Sequence, residues 1–113
     1  TMHFIDRATF DELKQISGEG FINELIDTFL DDAPRLFDEL KSALAAGDAE
    51  SFRRAAHSLK SNAATFGAGQ LAELAKGLEG IGRESRLGET GDRLNVLNEA
   101  LASVCDELRG LKS

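Results

Sequence analysis

One apolar stripe constrains this chain more than any other feature. Between residues 21 and 46, Ile22, Leu25, Ile26, Phe29, Ala33, Leu36, Phe37, Leu40 and Leu44 recur at three- and four-residue steps. That repeat follows one face of an α-helix, at about 3.6 residues per turn. A long helix with a continuous apolar face must bury it against other helices, so the stripe specifies a bundle. Pro34 lies inside it and removes one backbone donor, which predicts a kink. Two separate helices, the second capped by Asp31 or Asp32, are the alternative. The unbroken phase across Pro34 favours one helix.

The other segments repeat the pattern. A short helix is expected over Thr9–Ile16, where Thr9 and Glu12 have capping-box spacing and Phe10, Leu13 and Ile16 form an apolar edge. Ser17-Gly18-Glu19-Gly20 interrupts it. After the long helix, Gly47 is a stop and Asp48 a cap for a third helix over Ala49–Phe66. Gly67-Ala68-Gly69 closes that one, and a fourth runs over Gln70–Ile81 with Leu71, Leu74, Ala75, Leu78 and Ile81 inward. The stretch Gly82–Gly91 reads as the longest loop. A fifth helix over Asp92–Leu111 buries Leu94, Leu97, Leu101, Val104, Cys105 and Leu108. No strand alternation occurs. The expected fold is all-α, an antiparallel four-helix bundle with an additional short N-terminal helix, forming a single domain over residues 1–113.

The third helix carries the chemistry. Phe52, Ala55, Ala56, Leu59, Ala63 and Phe66 fall within roughly a third of its circumference, at about 100° per residue. His57 points about 150° from the middle of that stripe. It therefore faces solvent, with Arg53, Lys60, Ser61 and Ala64 on its own side. An imidazole of ordinary pKa, about 6.5, is largely neutral at pH 7 and is a competent nucleophile. Lys60 is one turn beyond His57, so its ammonium can neutralise the oxygens of an incoming phosphoryl group. Arg53, four residues before His57, is a second candidate for that charge, and Arg54 is more peripheral. Ser61 and Ala64 keep the face low enough for a partner protein to close over the histidine.

Composition excludes several function classes. The net charge of −7 argues against nucleic acid and against an anionic membrane surface as partners. No apolar run approaches the roughly 20 residues that span a bilayer, and no signal peptide is visible. Cys105 cannot form an internal disulfide alone and, in an apolar stripe, reads as a buried free thiol. These features fit a reducing cytoplasm. Thr1 ahead of Met2 reads as a cloning remnant, Met2 points to a free-standing protein, and His3 is expected to play no part. A di-iron bundle site needs Glu-x-x-His pairs, and neither histidine has Glu three residues before it. There is no Gly-rich phosphate loop ending in Lys-Ser or Lys-Thr, and no recognisable nucleotide pocket.

The run His57-Ser58-Leu59-Lys60-Ser61, followed by Phe66-Gly67, resembles the histidine-containing phosphotransfer (HPt) domains of multistep phosphorelays. The block from Phe21 to Pro34 is similar to the family's second helix, proline included, and Leu71-Ala72-Glu73-Leu74 with Leu78-Glu79 to its fourth. The resemblance covers most of the chain. It implies that His57 takes a phosphoryl group from an aspartyl phosphate on a response-regulator receiver domain and passes it to another receiver, with a hybrid sensor kinase as a further partner. It also implies a monomer that is a phosphocarrier without ATP-dependent kinase activity, and that binds no cofactor. Mg²⁺ is expected on the receiver. Attack is expected through Nε2, leaving the proton on Nδ1. The resemblance places an acidic or amide residue beside the histidine, and Glu79 holds that position; an ordinary solvated glutamate is the other reading. Gly67 reads as a helix terminator, or as a point of close receiver approach. Many members have Gly after the lysine, where this chain has Ser61. The phosphoryl-accepting first domain of chemotaxis-type histidine kinases has a similar His-Ser-x-Lys … Thr-Phe-Gly stretch, with ATP on a separate kinase domain as donor. A bundle that binds partners without chemistry is the remaining alternative. A dimeric kinase core is disfavoured, since Ser58 follows the histidine and no proline comes after Pro34.

Overall fold

In a computed structural model, residues 4–112 are described. Five helices follow one another: α1 (Arg7–Ser17), α2 (Glu19–Ala46), α3 (Ala49–Thr65), α4 (Gly69–Arg83) and α5 (Arg93–Leu111), with a 3₁₀ turn at Leu87–Glu89. No strand occurs among the described residues. Helix α3 packs most extensively on α4, α2 on α3 and α4 on α5, and α5 closes the ring against α2. This is the all-α four-helix bundle expected, with α1 added at one end. Thr1, Met2 and His3 lie outside the described residues.

The core is the set of stripes read from the sequence. Ile22, Ile26, Phe29 and Leu40 of α2 meet Phe52 and Leu59 of α3, Leu71 and Leu78 of α4, and Leu97, Val104 and Leu108 of α5. Phe66 stands edge-on to Phe29, with ring centroids 5.5 Å apart, a favourable aromatic geometry. Cys105 is a buried free thiol, and burial pushes its pKa up. Helix α2 runs through Pro34 as one helix, with the proline on the exposed side.

Four local expectations need correction. Helix α1 starts at Arg7 with Asp6 as its N-cap, and Thr9 lies inside it, donating from Oγ1 to Asp6 Oδ2 at 2.6 Å rather than capping the helix itself. Asp6 is fixed there because its backbone N–H donates to the Gly67 carbonyl at 2.9 Å. Ile16 is 85 % exposed. Successive steps of three drift by about 60° each, so the edge begun at Phe10 has rotated off the core by Ile16. Leu94, expected in the core, is half-buried. Helix α4 extends to Arg83, into the expected loop, because Gly82 continues the Leu71–Ala75–Leu78 stripe and is buried against α3.

Candidate functional site

Helix α3 is anchored at its start by Asp48, whose carboxylate accepts from the Ser51 backbone N–H at 3.1 Å and from Ser51 Oγ at 2.6 Å. Phe52, Ala55, Ala56, Leu59 and Ala63 then fix its rotation by facing the core. That rotation leaves His57 with 53 % of its side chain exposed.

The opposite helix supplies the histidine's partner. Glu79 of α4 is 3 % exposed. Its Oε2 lies 2.7 Å from His57 Nδ1, and its Oε1 accepts from Lys60 Nζ at 2.7 Å. Arg83, one turn further along α4, donates to Oε2 at 3.3 Å. A buried carboxylate is tolerated only when hydrogen-bonded and paired, and here both oxygens are engaged. The hydrogen bond from Lys60 holds the Glu79 carboxyl below the ordinary carboxylate range; burial pushes the other way, and the His57 bond adds to the lowering. An ionised carboxylate only accepts. Nδ1 must therefore carry a proton, and in the neutral ring that leaves the lone pair on Nε2.

The expected site residues divide accordingly. The structure brings His57, Lys60 and Glu79 together. Ser61 and Ala64 are exposed further along α3, as the low face requires. Lys60 directs its ammonium at Glu79, where the sequence pointed it at an incoming phosphate. Arg53 donates its guanidinium to Glu50 at 2.6 and 3.2 Å, one turn back toward the helix start, and reaches Glu79 through its charge rather than a hydrogen bond. Arg54 is exposed and peripheral, donating to Ser51 Oγ at 3.3 Å. Gly67 is half-buried, with α1 packed against it through Asp6 and Thr9. Sequence reasoning missed Arg83 as a site residue; its i,i+4 spacing from Glu79 was the signal.

The site is a surface rather than a cleft. One groove between α2 and α3 is lined by Arg35, Asp48, Arg54 and Ser58 among others, and a second by Leu25, Phe29, Asn62 and Phe66 among others; His57 lines neither. An imidazole standing on open helix surface suits a macromolecular partner better than a small substrate, which needs a concave pocket. Among the described residues no cluster of three or more His, Cys, Asp or Glu could hold a metal ion, and no helix is long and apolar enough to cross a membrane.

Comparison with known proteins agrees with this fold. The chain is similar to the crystal structure of histidine-containing phosphotransfer protein B (HptB) from Pseudomonas aeruginosa PAO1, with 27 % identity and a TM-score of 0.91 over 99 % of this chain and 96 % of that one. No curated protein matches. A family model described as Hpt domain matches residues 24–109, a span that contains His57, Lys60 and Glu79. The chain belongs to the Hpt domain family.

Proposed function

We propose that His57 is the phosphoryl-accepting residue of a histidine phosphotransfer protein in phosphorelay signalling. The observation that carries this reading is the 2.7 Å contact from Nδ1 to the buried Glu79 carboxylate. It fixes the tautomer whose nucleophilic nitrogen is Nε2. In the transfer, the Nε2 lone pair forms a bond to phosphorus while the bond from phosphorus to the receiver's aspartate oxygen breaks, and the carboxylate leaves with that electron pair. The ring gains positive charge as Nε2 gives up its lone pair. Glu79, already holding the Nδ1 proton, stabilises that charge, as a buried carboxylate does for the histidine of a Ser-His-Asp triad. The reverse step returns the phosphoryl group to a second receiver by the same path.

Phosphoryl transfer needs in-line positioning and charge neutralisation more than covalent help. Lys60 supports both, by anchoring Glu79 and by standing one turn from His57. Mg²⁺ belongs to the receiver in this reading, and the chain acts as a cytoplasmic monomer without kinase activity of its own. Receiver domains, including those of hybrid sensor kinases, are the partners. The test is transfer of label from a phosphorylated receiver: wild type takes it, and His57→Gln does not. Label retained in His57→Gln, or none in wild type, overturns the reading. ATP alone labels nothing. Labelling by a separate ATP-binding kinase domain, and not by any phospho-receiver, would instead assign the chain to the chemotaxis-kinase type.

A further inference from the structure

Helix α4 holds three glycines in its second half: Gly77, Gly80 and Gly82. They are not equivalent. A Cβ built at Gly77 or Gly80 meets nothing within 4 Å. A Cβ at Gly82 would lie 2.9 Å from the Arg53 backbone nitrogen, 3.0 Å from the Ala49 carbonyl oxygen and 3.0 Å from the Arg53 Cα. All three neighbours are backbone, so no side-chain rotation relieves the clash. At Gly82 the backbone of α4 lies directly against the backbone of α3. The two helices run antiparallel, so the next contact along the same interface is one turn back on α4 and one turn on along α3. That contact is Glu79 with His57.

We propose that Gly82 is a positioning residue for His57: its missing side chain sets the α3–α4 separation at which the Glu79 carboxylate reaches Nδ1. Bringing a Cβ from 2.9 Å out to the 3.4 Å of ordinary contact moves α4 by about 0.5 Å. Added to the 2.7 Å bond, that displacement takes it to the edge of hydrogen-bonding distance. Lys60 reaches Glu79 on a flexible stem and follows it, whereas the imidazole rides on α3 with only two side-chain torsions. The His57 bond is therefore the one that loosens. Ring tautomer and ring orientation then lose their common restraint, and small misplacements of a reacting group are costly in rate.

The test uses the full chain and compares Gly82→Ala with Gly77→Ala and Gly80→Ala. ¹⁵N shifts of the His57 ring report the tautomer without any phosphoryl donor. The wild type and the two control variants are expected to show the Nδ1–H form, and Gly82→Ala a mixture, with receiver-dependent labelling slowed about tenfold. In a Glu79→Ala background, Gly82→Ala should slow labelling no further. If Gly82→Ala alone does not fold, the same substitution is made together with Gly77→Ala and Gly80→Ala, which raise helix propensity. A folded Gly82→Ala protein with the wild-type tautomer, or failure to fold in both backgrounds, overturns the proposal. The labelling arm rests on the phosphotransfer reading; the tautomer arm does not, so a wild type that takes no label leaves the positioning result standing.

Discussion

Lys60 and Glu79 form an ion pair at 2.7 Å in which the lysine is 31 % exposed and the glutamate 3 %. The lysine thus serves the carboxylate first and the solvent-facing side of His57 second. Removing its ammonium leaves Oε1 of a buried carboxylate without its main partner, a loss of about 1.5–3 kcal/mol for a charged hydrogen bond. Lys60→Ala is expected to lower stability by that amount in urea unfolding, and to slow phosphoryl acceptance about tenfold while helicity is retained. A Lys60→Ala protein with unchanged stability would show that the pair carries no weight.

Glu79→Gln separates the two partners. The carboxylate accepts from His57, Lys60 and Arg83 with two oxygens, whereas an amide has one acceptor and one donor end. The substituted amide can therefore satisfy Lys60 or His57 but not both. With Lys60 the stronger claimant on its oxygen, its NH₂ group faces Nδ1 and favours the tautomer with the proton on Nε2, the unreactive form. Labelling by a phospho-receiver should fall by about 10- to 100-fold, as expected for loss of one preorganised electrostatic contact. Adding Lys60→Met frees the amide oxygen for His57, so ¹⁵N shifts of the ring should return toward the Nδ1–H form in the double variant, even though the rate loses the Lys60 charge. A double variant that keeps the Nε2–H form contradicts this ordering.

Acid stability should depend on the same carboxylate. Glu79 is held below its ordinary value of 4.5 in the folded state, chiefly by the Lys60 hydrogen bond. Unfolding restores the ordinary value, so at low pH the unfolded chain binds the extra proton. The stability Glu79 contributes is fully present above about 4.5 and is lost as pH falls through its folded value. Urea midpoints of wild type and Glu79→Gln should differ most near neutrality and converge below that range. A gap that stays constant down to acid pH would place the pH dependence in other carboxylates.

The bundle was legible because burial writes itself into period: the α2 stripe, and the phase that excludes His57 from the core of α3, follow from helix geometry alone. Glu79 was harder. It neighbours Leu78 at the margin of the α4 stripe, where a carboxylate reads as solvated; only the opposing α3 face, with His57 and Lys60 at the same level, explains its burial. Arg53 illustrates a related point. Helix spacing puts it within a turn of both His57 and Glu50, and with no anion bound at His57 its guanidinium pairs with Glu50. Gly82 read as the start of a loop because its role lies in what it lacks, and nothing in a single helix shows where a neighbouring backbone will pass.

Gly67 offers a case where structure and transfer should part. Its φ is +76°, in the left-handed region that penalises any side chain, and a Cβ there would lie 2.9 Å from Thr9 Cβ and 3.1 Å from the Asp6 carbonyl oxygen. Gly67→Ala therefore strains the turn and pushes α1 off the end of the bundle, at about 1–3 kcal/mol. For a domain of this size that corresponds to a fall in Tm of roughly 5–15 °C. The turn lies ten residues beyond His57, about 15 Å along the helix direction, and touches none of the residues that hold the imidazole. Labelling of the folded variant by a phospho-receiver should therefore stay within about twofold of wild type, measured well below its Tm. A variant that keeps its Tm but loses labelling would restore Gly67 to the partner interface and show that α1 moves aside when a partner binds.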